Sequence, residues 1–295
     1  MSPRIKWSIL ATPALLLTLG SAAADPFSDY WYQGLAEITS YDLKQARYGE
    51  IHEGQAVLIF VTEDFSESKH VKLDRPGGPD AVTVLKLNAT RKFNTGIYPY
   101  SMMTSVFTPV SADRYPRTLK VTTTSQEWCG HTFTQLNLDG AGYRARLYSY
   151  FERESDRSIR IDSTLLEDEI WNRIRLSPDA LPTGEVRLIP GTIFQRLRHN
   201  AWSTQTATPS LADDPQDPAV RVYTIAYSDI LRKLDIRFTR QFPHTIESWT
   251  ETSRGRSPDA PELVTRATRK KRIQLDYWRR HDLADLHYRE QLGLD

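Results

Sequence analysis

The chain has 295 residues, enough for a sizeable core, with 38 basic and 37 acidic side chains and a formal net charge of +1. That balance excludes a global field that would steer the protein onto nucleic acid or an anionic membrane, and leaves only local patches. One cysteine, Cys129, excludes an intramolecular disulfide, so packing and hydrogen bonds must hold the fold.

At the N-terminus, Arg4 and Lys6 precede an uncharged, largely apolar run from Trp7 to Leu19, followed by Ala22-Ala23-Ala24. This is the n-region, h-region and A-x-A pattern of a secretory signal peptide, with cleavage expected after Ala24. The apolar run is too short to cross a bilayer, and no cysteine follows it to carry a lipid. The expected mature chain starts at Asp25, with 36 basic and 37 acidic residues, in the periplasm or secreted. We expect one β-rich domain over 25–252, then a loop and C-terminal appendage over 253–295.

Strand signals dominate the rest. Gln55–Thr62 (QAVLIFVT) is a β-branched and aromatic run bounded by Gly54 and Glu63-Asp64, too short for an isolated helix. Further strands are expected at 36–48, 82–88, 119–125, 132–138, 143–151, 185–189, 222–227, 234–239 and 245–252. Residues 48–54 read as the first hairpin turn, and Asp139-Gly140-Ala141-Gly142 as another with glycine free to take a positive φ. Pro209–Pro218 and Ser253–Pro261 read as loops. Short connections favour antiparallel order, so the expected fold is mainly β: a large curved antiparallel sheet or half-open β barrel, with one central helix and a C-terminal helical segment.

The central helix is expected over Leu165–Leu176, capped by Ser163-Thr164, with acids early and Arg173 and Arg175 late. Leu166, Ile170 and Ile174 recur at a spacing of four, giving one apolar stripe for the sheet. Tyr277–Leu292 is the second helical candidate.

Catalytic signatures are almost absent: the chain holds no G-x-S-x-G, P-loop, H-E-x-x-H or zinc-spaced cysteine pair, and no cofactor or metal is expected. Cys129 and His131, two apart, would share a face of a strand, where an imidazolium could activate a thiolate; equally, Cys129 reads as strand packing. Glu167, Asp168 and Glu169 form an acidic cluster suited to acid–base work, or to a solvated helix start complementing the dipole. Tyr98, Tyr100, Met102 and Met103, with Trp171, combine amphipathic rings and adaptable thioethers, which suits an apolar ligand as well as a core. Arg269-Lys270-Lys271-Arg272 is a basic run able to meet phosphate, or a solvated strand end.

The stretches YWYQGLAEITSYDLKQARYGE, FNTGIYPYSMMTSVFTPV, TTSQEWCGHTFTQLNL, LLEDEIWNRIRL and LPTGEVRLIPG resemble a family of exported bacterial proteins labelled septum formation inhibitor Maf, over about Tyr30 to Trp249. The resemblance implies export and brings no catalytic residues. The LASxSPRR-type strand and loop of the Maf nucleotide pyrophosphatases is missing, since Ser2-Pro3-Arg4 lies inside the signal-like segment. In strand succession the chain also looks like the half-open barrels of periplasmic lipoprotein carriers, an architectural analogy that implies a concave sheet holding an apolar molecule. Two functions follow: a non-enzymatic envelope protein that binds a lipid-like ligand or a protein partner, or a hydrolase or transferase using Cys129 and His131 or the Glu167 cluster.

Overall fold

The computed structural model describes residues 25–162, 165–254 and 261–294; the expected signal peptide and its cleavage site, and the expected Ser163-Thr164 cap, lie outside them. In chain order the elements are α1 (Pro26–Trp31), β1 (Ala36–Arg47), β2 (Glu50–Ser66), β3 (Ala81–Thr95), β4 (Tyr98–Pro109), β5 (Lys120–Glu127), β6 (Gly130–Asp139), β7 (Gly142–Ser149), β8 (Arg157–Asp162), β9 (Leu165–Leu166), α2 (Glu167–Leu176), β10 (Val186–Ile189), α3 (Thr192–Arg198), β11 (Gln205–Asp213), β12 (Val220–Tyr227), β13 (Arg232–Thr239), β14 (Ile246–Arg254), β15 (Glu262–Leu275) and α4 (His287–Gln291). The fold is mainly β, as its strand pattern implies.

All fifteen strands join one open sheet in the order β8-β7-β6-β5-β4-β3-β2-β1-β15-β14-β13-β12-β11-β10-β9. Two meanders meet where β1 pairs antiparallel with β15, and only the short β9–β10 contact is parallel. The sheet curls strongly. Arg91 of β3 reaches Glu251 of β14, although β2, β1 and β15 lie between those strands; a flat sheet would hold them about 19 Å apart at 4.8 Å per strand. One face of nearly every strand accordingly feeds a single core, from Leu58, Leu87 and Val106 to Ile225, Ile236 and Trp249.

The core is completed by α2, which lies in the hollow. Leu166, Ile170 and Ile174 are all buried, as their spacing predicts. The helix is buried on its other sides too, and there Glu167, Glu169, Asn172 and Arg175 each find a polar partner. It starts at Glu167 and not at Leu165, because Leu165 and Leu166 stay extended to pair with β10.

Antiparallel order sends successive connections to alternate rims. The rim of α1 is closed: Trp31 packs on Phe60, Tyr30 packs on Phe242, and Arg175 Nε donates to the Pro243 carbonyl at 2.8 Å. The other rim carries the β1–β2, β3–β4, β5–β6, β7–β8 and β12–β13 turns, and we call it the open rim.

Several boundaries differ from those read in the sequence. The first turn is only Tyr48-Gly49, both at positive φ, and Glu50–Gly54 already belong to β2. Gly54 sits there because a Cβ would come within 2.3 Å of the Lys92 carbonyl oxygen on β3. Residues 209–213, read as loop, pair with β12, Pro209 included. Of the stretch 253–295, residues 262–275 form β15, a strand near the middle of the sheet. Residues 253–254 end β14 and most of the expected 253–261 loop lies outside the described residues, while the segment after β15 turns back over the convex face, where Leu292 packs with Ala36, Ile38 and Val61, and Ser40 Oγ donates to the Leu292 carbonyl at 2.5 Å.

Candidate functional site

Because the sheet is plugged at one rim only, the hollow ends in a cleft of about 700 Å³ at the open rim. Its walls come from the upper ends of β1, β13, β14 and β15 and from α3. Its apolar lining includes Phe194, Leu197, Ile230, Leu231 and Leu263, while Arg47, Arg198 and Arg254 stand around it, and among the described residues its acids are Asp229 and buried Glu251. Arg47 is held in place by stacking on Tyr48, 4.2 Å from ring centre, and by donating to the Leu197 carbonyl.

Behind the cleft lies a second, smaller cavity of about 40 Å³, room for a water or two. Phe194, Arg232 and Glu251 line both and form the partition. A buried charge network stands there. Arg232 pairs with Glu167 and with Glu251 (3.3 Å), Glu251 pairs with Arg91, and Arg91 Nη1 donates to Gln45 Oε1 at 3.3 Å. The Tyr227 hydroxyl donates to Glu167 at 2.5 Å, and the Arg232 guanidinium lies 4.1 Å from the Phe194 ring centre. Burial raises Glu251, but Arg91 and Arg232 outweigh it and hold the carboxyl down at about 2. Trp249 lines this cavity, and its indole Nε1 is buried with no hydrogen-bond partner among the described residues.

Asp168 lines the same cavity and differs from its neighbours. Burial, and then the adjacent Glu167 charge, push its carboxyl up to about 7, against a hydrogen bond from the Thr192 amide at 3.0 Å. Among the described residues no arginine ion-pairs with it, and its raised carboxyl is poised to exchange a proton near neutrality. Gly191 permits this crowding, since a Cβ there would lie 2.5 Å from Glu167 Oε1.

The structure separates several residues that the sequence groups. Glu167 and Trp171 reach the inner cavity, with Trp171 edge-on to Trp249 at 5.2 Å. Glu169, two residues round the helix, faces away: it accepts from the Thr118 amide at 3.2 Å and pairs with Arg173. Tyr100 and Met102 are buried on the concave face and Met103 projects from the convex one. Tyr100 stacks on Phe93 at 4.8 Å and its hydroxyl lies 2.9 Å from that of Tyr48, to which Tyr98 also donates at 3.2 Å, so this trio borders the cleft mouth.

Cys129 lies in the β5–β6 turn, not on a strand, so neither the shared strand face with His131 nor burial as packing holds. The thiol is exposed, and its hydrogen bond to Glu127 raises it rather than activating it. Residues 269–272 lie within β15, where Arg269 pairs with Glu247 at 2.9 Å and Lys270 with Asp42 at 3.4 Å.

Arg91, Arg232, Glu251 and Phe194 escaped the sequence reading. A signal was present in the alternation: Arg232 shares strand parity with Leu234, Ile236 and Phe238, and Glu251 with Trp249, so each charge falls at an inward position.

Among the described residues, no group of three His, Cys, Asp or Glu side chains is placed to hold a metal ion, and no helix is long and apolar enough to cross a membrane. No protein-family model, curated protein or solved structure matches this chain.

Proposed function

We propose that the protein is an exported envelope component that binds an amphipathic, lipid-like molecule in the cleft of its curled sheet. The observation that carries this reading is the cleft itself. Its size falls in the range of small-molecule sites, about 300–1,000 Å³, and its lining pairs an apolar wall with arginines at the mouth. An acyl chain would lie along Phe194, Leu197, Ile230 and Leu263, and an anionic head would meet Arg47 and Arg254. The plugged far rim gives the molecule one way in and out. The architectural likeness to periplasmic half-barrel carriers points the same way, by analogy alone.

Native mass spectrometry of protein purified from its own envelope tests this, with a dansyl-labelled twelve-carbon fatty acid as solution probe. We expect one amphiphile per chain, and loss of probe binding in Leu263→Trp, which fills the cleft from the inward face of β15. Neither co-purifying amphiphile nor saturable probe binding would sink the proposal.

A second reading, acid–base chemistry, is favoured by Asp168, a carboxyl raised to about 7 beside a cavity shared with Trp249 and Glu251. It predicts a turnover that Asp168→Asn abolishes while leaving fatty-acid binding intact.

A further inference from the structure

Side chains at the tips of the open-rim hairpins are of an unusual kind for solvent. Tyr48 (60% exposed) and Ile51 (47%) stand at the β1–β2 turn, Ile97 (84%) at β3–β4, Trp128 (68%) at β5–β6, Tyr150 (70%) after β7, and Leu231 (66%) at β12–β13. At the closed rim the connections between strands expose Val71, and the segments before β1 and after β15 expose Tyr32, Trp278, Leu283 and Leu286, so what sets the open rim apart is an exposed large hydrophobic side chain at one hairpin tip after another. Alternation of rims is a consequence of antiparallel order, but nothing in that order places aromatic and aliphatic tips on one rim. We propose that the open rim is a docking surface for a phospholipid bilayer, set on the lipid so that the cleft mouth faces the headgroups.

The occupant follows from geometry and chemistry. Strands stand about 4.8 Å apart, so successive hairpin tips along one rim are spaced by about 10 Å. The β1–β2, β3–β4, β5–β6 and β7–β8 tips therefore form a row about 30 Å long, separated by polar backbone. A folded partner is gripped by a contiguous patch with a well-packed centre, whereas a spaced row of single side chains matches a planar interface. The residue types fit headgroup depth: Trp and Tyr carry an apolar body and a polar edge, and Ile97 and Leu231 gain by leaving water. Trp128 and Tyr98 stack at 6.5 Å, which extends one such tip into a platform. At the cleft mouth Arg47, Arg198 and Arg254 stand beside Asp229 and suit an anionic headgroup, whereas the outer tips carry acids as well, Glu50 and Glu53 near Tyr48 and Glu152 and Asp156 near Tyr150. Docking goes beyond cleft binding and does not require it, so the two are tested apart.

Vesicle flotation of the purified full chain decides it, using phosphatidylcholine alone and phosphatidylcholine with a minority of phosphatidylglycerol. The wild type is expected to float with both, more strongly with the anionic vesicles, and Arg47→Ser with Arg254→Ser to remove the difference. Ile97→Ser with Trp128→Ser and Tyr150→Ser should weaken binding about tenfold or more. Val71→Ser on the closed rim should change nothing. Because all variants keep the same N-terminus, a contribution from residues 7–19 cancels in the comparison. Brominated acyl chains should quench the emission component that the wild type has and Trp128→Phe lacks, a measurement that needs no destabilised variant. The proposal is overturned if the wild type does not float, if the triple variant floats as well as the wild type, if Val71→Ser costs as much, or if Trp128 is not quenched. Leu263→Trp should float normally while losing the fatty-acid probe, and the triple variant should keep it. Failure of the probe with intact flotation therefore sinks the cleft reading alone, and the reverse sinks the docking surface alone.

Discussion

Arg175, near the end of α2, and Glu37, near the start of β1, form a two-pronged ion pair, Nη1 to Oε1 at 2.6 Å and Nη2 to Oε2 at 2.7 Å, with neither side chain more than 1% exposed. The guanidinium also lies 4.6 Å from the Phe60 ring centre and 5.1 Å from that of Trp31, so the charge is sandwiched as well as paired. Together with Glu167–Arg232 at its other end, this pins α2 to the wall at both termini, acid at the N-terminus and base at the C-terminus as the dipole favours.

Arg175→Ala should therefore cost about 3–5 kcal/mol, because it leaves a buried carboxylate unpaired. Glu37→Leu combined with Arg175→Met removes both charges and should recover much of that loss. Urea unfolding of the three proteins checks this; a double variant weaker than Arg175→Ala would contradict it.

Asp168 predicts an inverted pH response. Its carboxyl is raised in the folded protein, from 3.8 to about 7, so between those values the folded state holds a proton that the unfolded state has released. Its contribution is full below about pH 4, falls as pH rises to about 7 and is flat above, by at most about 4 kcal/mol. Asp168→Asn should flatten this slope and stabilise the protein at pH 8 relative to wild type. Urea midpoints at pH 5 and pH 8 are the measurement, and equal slopes in both proteins would refute it.

Gly54→Ala tests the close approach of β2 and β3. The added methyl would meet the Lys92 carbonyl oxygen and the Phe93 Cβ, at 2.3 and 2.7 Å, neither of which can swing aside. We expect a loss of about 2 kcal/mol or more, against about 1 kcal/mol for Gly34→Ala, where the space is open and only the positive φ opposes a side chain. Thermal unfolding distinguishes them.

Cys129→Ser should change stability by less than about 0.5 kcal/mol, since the residue is exposed in a turn. The native thiol should be reachable by iodoacetamide but slow near neutral pH, and accelerate as pH approaches and passes the ordinary thiol range, because Glu127 holds it protonated. Glu127→Gln should speed it. Rapid alkylation at pH 7 would revive the nucleophile reading.

Local information was enough for the β class, most strands and the apolar stripe of α2, because alternation and spacing record which side of an element is buried. Gln55–Thr62 and Leu166, Ile170 and Ile174 are clear in this sense. β15 was missed because its charged outward residues, Arg266 to Arg272, hide an inward series at Thr265 and Ala267, and strand β11 because proline is counted against pairing although Pro209 still offers a carbonyl. What no local pattern holds is which inward charges meet. Glu167, Arg232, Glu251 and Arg91 belong to four elements, up to 160 residues apart, and become neighbours only when the sheet curls. The same curl sets one rim open and the other closed, and it gathers Tyr48, Ile97, Trp128 and Leu231 on the open one. Sequence determined the alternation of each strand; only the tertiary structure decided which strand ends share a rim, because that depends on pairing order and curvature summed over the whole sheet.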